Sequence, residues 1–308
     1  MKSFGLLSRV VLLAAGLLAA QAVFADNNSP KSIKHALGEI TLNKVPQRVV
    51  VLGQGSLDTL DRLGVEPVGV VKSMMPAYLN KYQDEKYVGV GSVVEPDFEA
   101  IFMAKPDLII AEARMTALMD QLSEIAPTIM YSVEYGQYWQ DAQQNWRMLG
   151  EIFNKQAEAE QLIAETQTKL NAAKQRVKDS KMNALMLMNN GNKLAMFNEG
   201  SRFSMVFDDF GFTPARSEKV SAGGPHGNLI SFEYVADAKP DAMLVLDREQ
   251  AIGRDNGKAK ARFDNPLVKS TPAYKQNHIV YLNPNAWYIT MAGATATELM
   301  IDDINALF

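Results

Sequence analysis

The sequence predicts an α/β protein of two Rossmann-like lobes joined by a single long α-helix, with a ligand cleft between them. Three observations carry that expectation. An internal repeat relates the two halves of the chain, a stretch of helical period without proline or glycine separates them, and continuous apolar runs of the buried-strand kind occur in both.

Residues 1–25 read as an address rather than as structure. Lys2 and Arg9 precede an apolar run from Val10 to Ala20, and Val23 and Ala25 offer a site for signal peptidase, so the mature chain is expected to begin at Asp26. The run is short for a membrane span. With no cysteine in the chain there is no acceptor for a lipid anchor, no disulfide and no thiolate chemistry. The expected product is a soluble monomer in the periplasm. Removing Lys2 and Arg9 from 31 basic residues leaves 29 against 35 acidic ones, a formal charge of about −6 that argues against nucleic acid as a partner.

The first lobe, residues 26–153, opens its sheet with Arg48-Val49-Val50-Val51-Leu52, apolar throughout as a strand covered on both faces must be. A helix follows and stops at Leu63-Gly64-Val65-Glu66-Pro67. The repeat comes next. Phe98–Arg114 aligns without a gap on Phe232–Arg248, with Phe-Glu, Ala-Lys-Pro-Asp and the final Arg identical in both copies. Each copy reads as a short helix, a Lys-Pro-Asp turn that stops it, and a buried strand running to the arginine. Residues 154–182 are predicted to form the interlobe helix, because Ala159, Leu162, Ile163, Thr166, Leu170, Ala173 and Val177 recur at three or four. The second lobe, residues 183–308, repeats the plan with a strand at Ala184-Leu185-Met186-Leu187-Met188 and a helix stopped at Phe210-Gly211-Phe212-Thr213-Pro214. Methionines 182, 186, 188, 196 and 205 have the spacing of core filler.

Ligands of open α/β sheets bind at strand C-termini. Arg114 and Arg248 stand at two such ends, at equivalent places in the repeat, so they are expected to reach one ligand from opposite lobes. Arg202, in Gly200-Ser201-Arg202-Phe203, is the candidate for a third cation. Arginine keeps its charge and offers a planar donor fork, which suits a multiply anionic ligand. His226 lies in a glycine-rich loop and Tyr288 follows a strand, so an imidazole and a phenolate could complete the shell of a metal, although such donors in loops more often bind water or backbone. Tyr135, Tyr138, Trp139 and Trp287 are candidates for the cleft wall or, equally, for the core. Gly53-Gln54-Gly55 lacks the third glycine of a dinucleotide loop. No Gly-x-Ser-x-Gly elbow occurs. The residues point to a binding protein rather than an enzyme.

These features resemble the periplasmic iron-siderophore binding proteins of ABC importers, in the class with a long helix between lobes, over essentially the whole mature chain. The resemblance is greatest to the branch that handles catecholate siderophores of the enterobactin type. It implies that Arg114, Arg202 and Arg248 face the anionic catecholates and that His226 and Tyr288 ligate Fe(III) where a tetradentate siderophore leaves sites open. It also implies that Glu99 and Glu233, paired by the repeat, dock onto an inner-membrane ABC permease. The ferric siderophore would be cargo, with no permanent cofactor. Haem, cobalamin or a hydroxamate siderophore is the alternative cargo of such a fold.

Overall fold

The computed structural model describes residues 30–218, 227–254 and 258–308. The leader, and with it the expected cleavage site, lies outside them. A hairpin of β1 (Lys31–His35) and β2 (Gly38–Leu42) precedes the sheet of the first lobe. The sheet of that lobe contains β3 (Val49–Val51), β4 (Gly69–Val70), β5 (Val88–Gly89), β6 (Leu108–Glu112) and β7 (Thr128–Tyr131). Its order is β5-β4-β3-β6-β7, parallel throughout. Strand alternation divides its side chains between two cores. Val49, Val51, Leu108 and Ile110 face one, while Val50, Ile109 and Ala111 face the other.

In the second lobe β8 (Asn183–Asn190), β9 (Lys193–Phe197), β10 (Thr213–Pro214), β11 (Asn228–Ile230), β12 (Ala242–Asp247) and β13 (Ile279–Tyr281) form one sheet. Its main path is β11-β9-β8-β12-β13, with β10 beside β8. The halves are not copies here, because β9 returns antiparallel to β8. Asn190 pairs with Lys193 across the two-residue loop Gly191-Asn192, and Gly191 takes φ +57°. Such a loop suits the right-handed twist of a hairpin.

The repeat recurs in the backbone as well as in the letters. Helix α1 (Gln54–Arg62) follows β3, and α2 (Phe98–Met103) begins the first copy. Asp97 caps α2 by accepting from the Ala100 N–H. In the second copy Ser231 caps the matching helix, Phe232–Ala238, by accepting from the Tyr234 N–H. Lys105 and Lys239 both take left-handed φ, +48° and +47°. The aspartate of each Lys-Pro-Asp then pins the start of the neighbouring parallel strand. Asp107 accepts from the Arg48 N–H at 2.7 Å, and Asp241 accepts from the Asn183 N–H at 3.2 Å.

Between the lobes, α3 (Tyr138–Ile152) leads into α4 (Gln156–Ser180), 25 residues and about 38 Å long at 1.5 Å per residue. Its buried residues are the seven that the period predicts. In chain order the next described helices labelled here are α5 (Phe232–Ala238), α6 (Pro284–Tyr288) and α7 (Ala294–Asn305). The C-terminal helix α7 packs on α1 of the first lobe as well as on α4, so one apolar core runs through both lobes.

Polar contacts reinforce that seam. Arg62 on α1 and Lys169 on α4 both hold Glu298 of α7, at 2.9 and 2.8 Å. The fully buried Asp58 of α1 caps α7, accepting from the N–H groups of Thr295 and Ala296 at 3.2 and 2.8 Å. Burial pushes its carboxyl up from 3.8 to about 6, against those two bonds. An acid whose folded pKa exceeds its unfolded value stabilises the fold below about pH 4, and that contribution disappears as pH rises through about 6. The stability of Asp58→Asn relative to the parent is therefore expected to improve by about 2–3 kcal/mol between about pH 4 and pH 8. Thermal melts across that range check it, and a constant offset would refute it.

Candidate functional site

The strand ends of the two sheets meet at a cavity of about 380 Å³. From the first lobe come Glu112, the last residue of β6, Arg114 just after it, and Glu134 and Tyr135, in the loop after β7. From the second come Arg202, in a loop after β9, and Tyr288 at the end of α6. Tyr131 and Tyr138 supply an apolar wall, since their hydroxyls are tied behind it. Tyr131 donates to the Ala292 carbonyl at 2.6 Å, and the Tyr138 hydroxyl accepts from the Ala292 N–H at 3.2 Å.

All three arginines converge on Tyr288. Arg202 stacks on its ring, with the guanidinium carbon 4.2 Å from the centroid, and donates to its backbone oxygen at 3.0 Å. Arg114 reaches the same oxygen from the opposite lobe at 3.4 Å. Arg248 donates from Nε to the phenol oxygen at 2.8 Å. Burial alone would push the phenol up, but the charge of Arg202 and the Arg248 bond outweigh it and hold the hydroxyl below its ordinary value. Arg202 is itself shifted down, by burial and by the nearby Arg114. A carbonyl is a weak acceptor for a guanidinium, so an anion entering the cavity can replace it with a stronger, charge-assisted bond.

Several expectations need correction. Arg114 and Arg202 are among the residues that line the cavity, and Arg248 reaches it through its bond to the lining Tyr288, holding Asn190 and Glu249 as well. Tyr138 lines the cavity but Trp139 and Trp287 do not. Trp139 packs edge-on against Trp146 and donates to Gln167 of α4, because the amphipathic face of α3 turns it into the interlobe core. Trp287 is fully buried and donates to Asp303 of α7 at 2.9 Å. His226 lies outside the described residues. Among the described residues no group of three or more His, Asp or Glu could hold a metal ion.

Glu112 and Glu134 are wall residues that sequence reasoning missed. A signal for Glu112 existed, since the repeat places Leu246 at its counterpart and thus breaks its own pattern there. The Glu112 carboxyl fills the Gly53-Gln54-Gly55 loop, with Oε1 accepting from the Ser56 N–H at 2.7 Å and its hydroxyl at 2.9 Å. A Cβ on Gly53 would overlap that carboxyl. Gly53→Ala is expected to cost about 1–3 kcal/mol through overpacking, seen as a lower urea midpoint, and an unchanged midpoint would show the wall to be pliable.

Glu99 and Glu233 occupy matching first turns of α2 and α5, both exposed. Glu99 shares its helix face with Phe102 and Met103, which are 65% and 67% exposed.

Comparison with known proteins fits this geometry. A family model described as periplasmic binding protein matches residues 49–286. The petrobactin-binding protein YclQ of Bacillus subtilis is 33% identical over 99% of this chain and 98% of its own length. The ferric-anguibactin-binding protein FatB of Vibrio anguillarum is 32% identical over 93% and 90%. Among solved structures, the periplasmic catecholate-siderophore binding protein VctP of Vibrio cholerae superposes with a TM-score of 0.86 at 43% identity, covering 90% of this chain and 99% of that one. On the matched residues and the similarity over nearly its whole length, this chain belongs to the periplasmic binding protein family.

Proposed function

We propose that the chain captures a ferric catecholate siderophore in the cavity between its lobes and delivers it to an inner-membrane ABC permease. The observation that carries this reading is the convergence of three guanidiniums, drawn from both lobes, on Tyr288, two at its backbone oxygen and one at its phenol. Arg114 and Arg202 supply charge-assisted bonds to catecholate oxygens, while Tyr288, poised towards its phenolate, offers iron an oxygen donor. His226 is the proposed second donor. A bis-catecholate leaves two of the six iron positions open, and this pair would fill them.

The relatives' names support the class of cargo, since they speak of petrobactin, anguibactin and catecholate siderophores. Delivery through Glu99 and Glu233 is proposed on their paired, exposed positions, one in each lobe. The iron complex is cargo, the protein is proposed to act as a soluble monomer in the periplasm, and the leader at residues 1–25 is proposed to be removed on export.

Three ferric complexes test the reading through quenching of Trp139, Trp146 and Trp287 fluorescence. A bis-catecholate and a tris-catecholate are expected to saturate and a trihydroxamate is not. Saturation by the hydroxamate alone would overturn the catecholate assignment.

A further inference from the structure

Seven non-glycine residues among those described take a left-handed φ, and Ala292, at +64°, is the one of them that is buried. The other six are half-buried or exposed. A Cβ disfavours this conformation, and glycine, its usual occupant, stands one place later. Gly293 serves another need there, since a Cβ on it would overlap the Asp58 carboxyl that caps α7.

A strained residue keeps its conformation only where its surroundings over-determine it. Three side chains of the first lobe do so here. The Ala292 carbonyl accepts from the Tyr131 hydroxyl at 2.6 Å and from the Trp146 indole at 2.7 Å, and the Ala292 N–H donates to the Tyr138 hydroxyl at 3.2 Å. Two places earlier, the Thr290 hydroxyl accepts from Tyr78 at 3.1 Å. Up to Tyr288, by contrast, the chain is held from the second lobe, where Arg248 bonds the phenol and Arg202 the backbone oxygen. Within four residues the chain thus passes from the grip of one lobe to that of the other. Helix α6, which ends at Tyr288, has only five residues and cannot fix its own orientation.

We infer that Tyr131 and Trp146 are positioning residues for Tyr288, acting through Ala292. By pinning Ala292 in its left-handed conformation they fix where α6 ends, and so register a phenol of the second lobe against Arg114 of the first. This rests on the reading of Tyr288 as the donor that faces iron. Trp146 is fully buried, so its effect on a ligand must pass through other residues.

The test is calorimetric titration with a ferric bis-catecholate and a ferric tris-catecholate. Trp146→Phe frees one bond on Ala292 and is expected to weaken the bis-catecholate about tenfold and the tris-catecholate less than about threefold. Tyr131→Phe loses only the hydroxyl that donates to the same carbonyl and should give the same selective loss. In a Tyr288→Phe background, Trp146→Phe is expected to cost the bis-catecholate less than about twofold more, because the residue it positions is already gone. Adding Ala292→Gly to Trp146→Phe is expected to bring bis-catecholate binding back to within about threefold of the parent, since glycine takes left-handed φ without a pin. A role confined to core packing predicts no such rescue. Failure of the rescue, or losses from Trp146→Phe and Tyr288→Phe that add in full, would overturn the inference. Equal weakening of both complexes by Tyr288→Phe alone would instead overturn the ligation reading on which it rests.

Discussion

Tyr288→Phe is expected to weaken binding of a ferric bis-catecholate by about 100-fold, the scale set by loss of groups at or next to a metal. Binding of a ferric tris-catecholate is expected to change by less than about threefold, because that complex presents a filled coordination shell and has no use for the phenolate. The ring stays, so the stacking of Arg202 at 4.2 Å survives the substitution. Only the hydroxyl is lost, together with the Arg248 bond of 2.8 Å. The visible charge-transfer band of the bound bis-catecholate should shift as the phenolate leaves the iron. Equal losses for both complexes would remove direct ligation and leave Tyr288 as a platform for the arginines.

Arg202→Met is expected to behave differently, with about 100-fold weaker binding of both catecholate complexes. Removing one member of a desolvated charge pair typically costs about 2–5 kcal/mol. Arg202 is half-buried in the wall between Phe203 and Tyr288. Water therefore screens its contacts less than those of the exposed Arg114. Arg248→Met separates charge from position. Because Arg248 touches the phenol oxygen, its loss should reproduce the Tyr288→Phe profile, sparing the tris-catecholate. Equal losses for both complexes at Arg248→Met would mean that this side chain meets the ligand directly. Titration of the three variants side by side decides between these outcomes.

The sequence revealed the fold to a large extent because its signals are local and doubled. Two Lys-Pro-Asp turns, two glycine-terminated helices and a run of apolar residues at helical spacing each state a backbone conformation within a few residues, and the repeat states each one twice. The antiparallel return of β9 was equally local, signalled by Asn190-Gly191, yet the expectation of two like halves concealed it. Arg114, Arg202 and Tyr288 could be expected at the cleft because strand ends in open sheets define where a ligand lies, whereas Tyr138 was as open between wall and core as Trp139. Trp139 and Trp287 could not, since an aromatic residue near a strand end serves a cavity or a core equally well until the neighbouring helix is in position.

What the sequence by itself determined is the pair of α/β lobes, the length and buried face of α4, and the supply of arginines at repeat-related strand ends. All of these follow from periodicity and turn chemistry. Only the tertiary structure decided that the three arginines meet at Tyr288, two at its backbone oxygen and one at its phenol. It also decided that the glycine loop before α1 holds Glu112 rather than a phosphate, and that α7 unites the cores of both lobes through Asp58 and Glu298. The physical reason is the same in each case. These contacts join residues 40 to 238 positions apart, and the direction in which a long side chain turns is set by the donors and charges that folding brings to it, not by its neighbours in the chain.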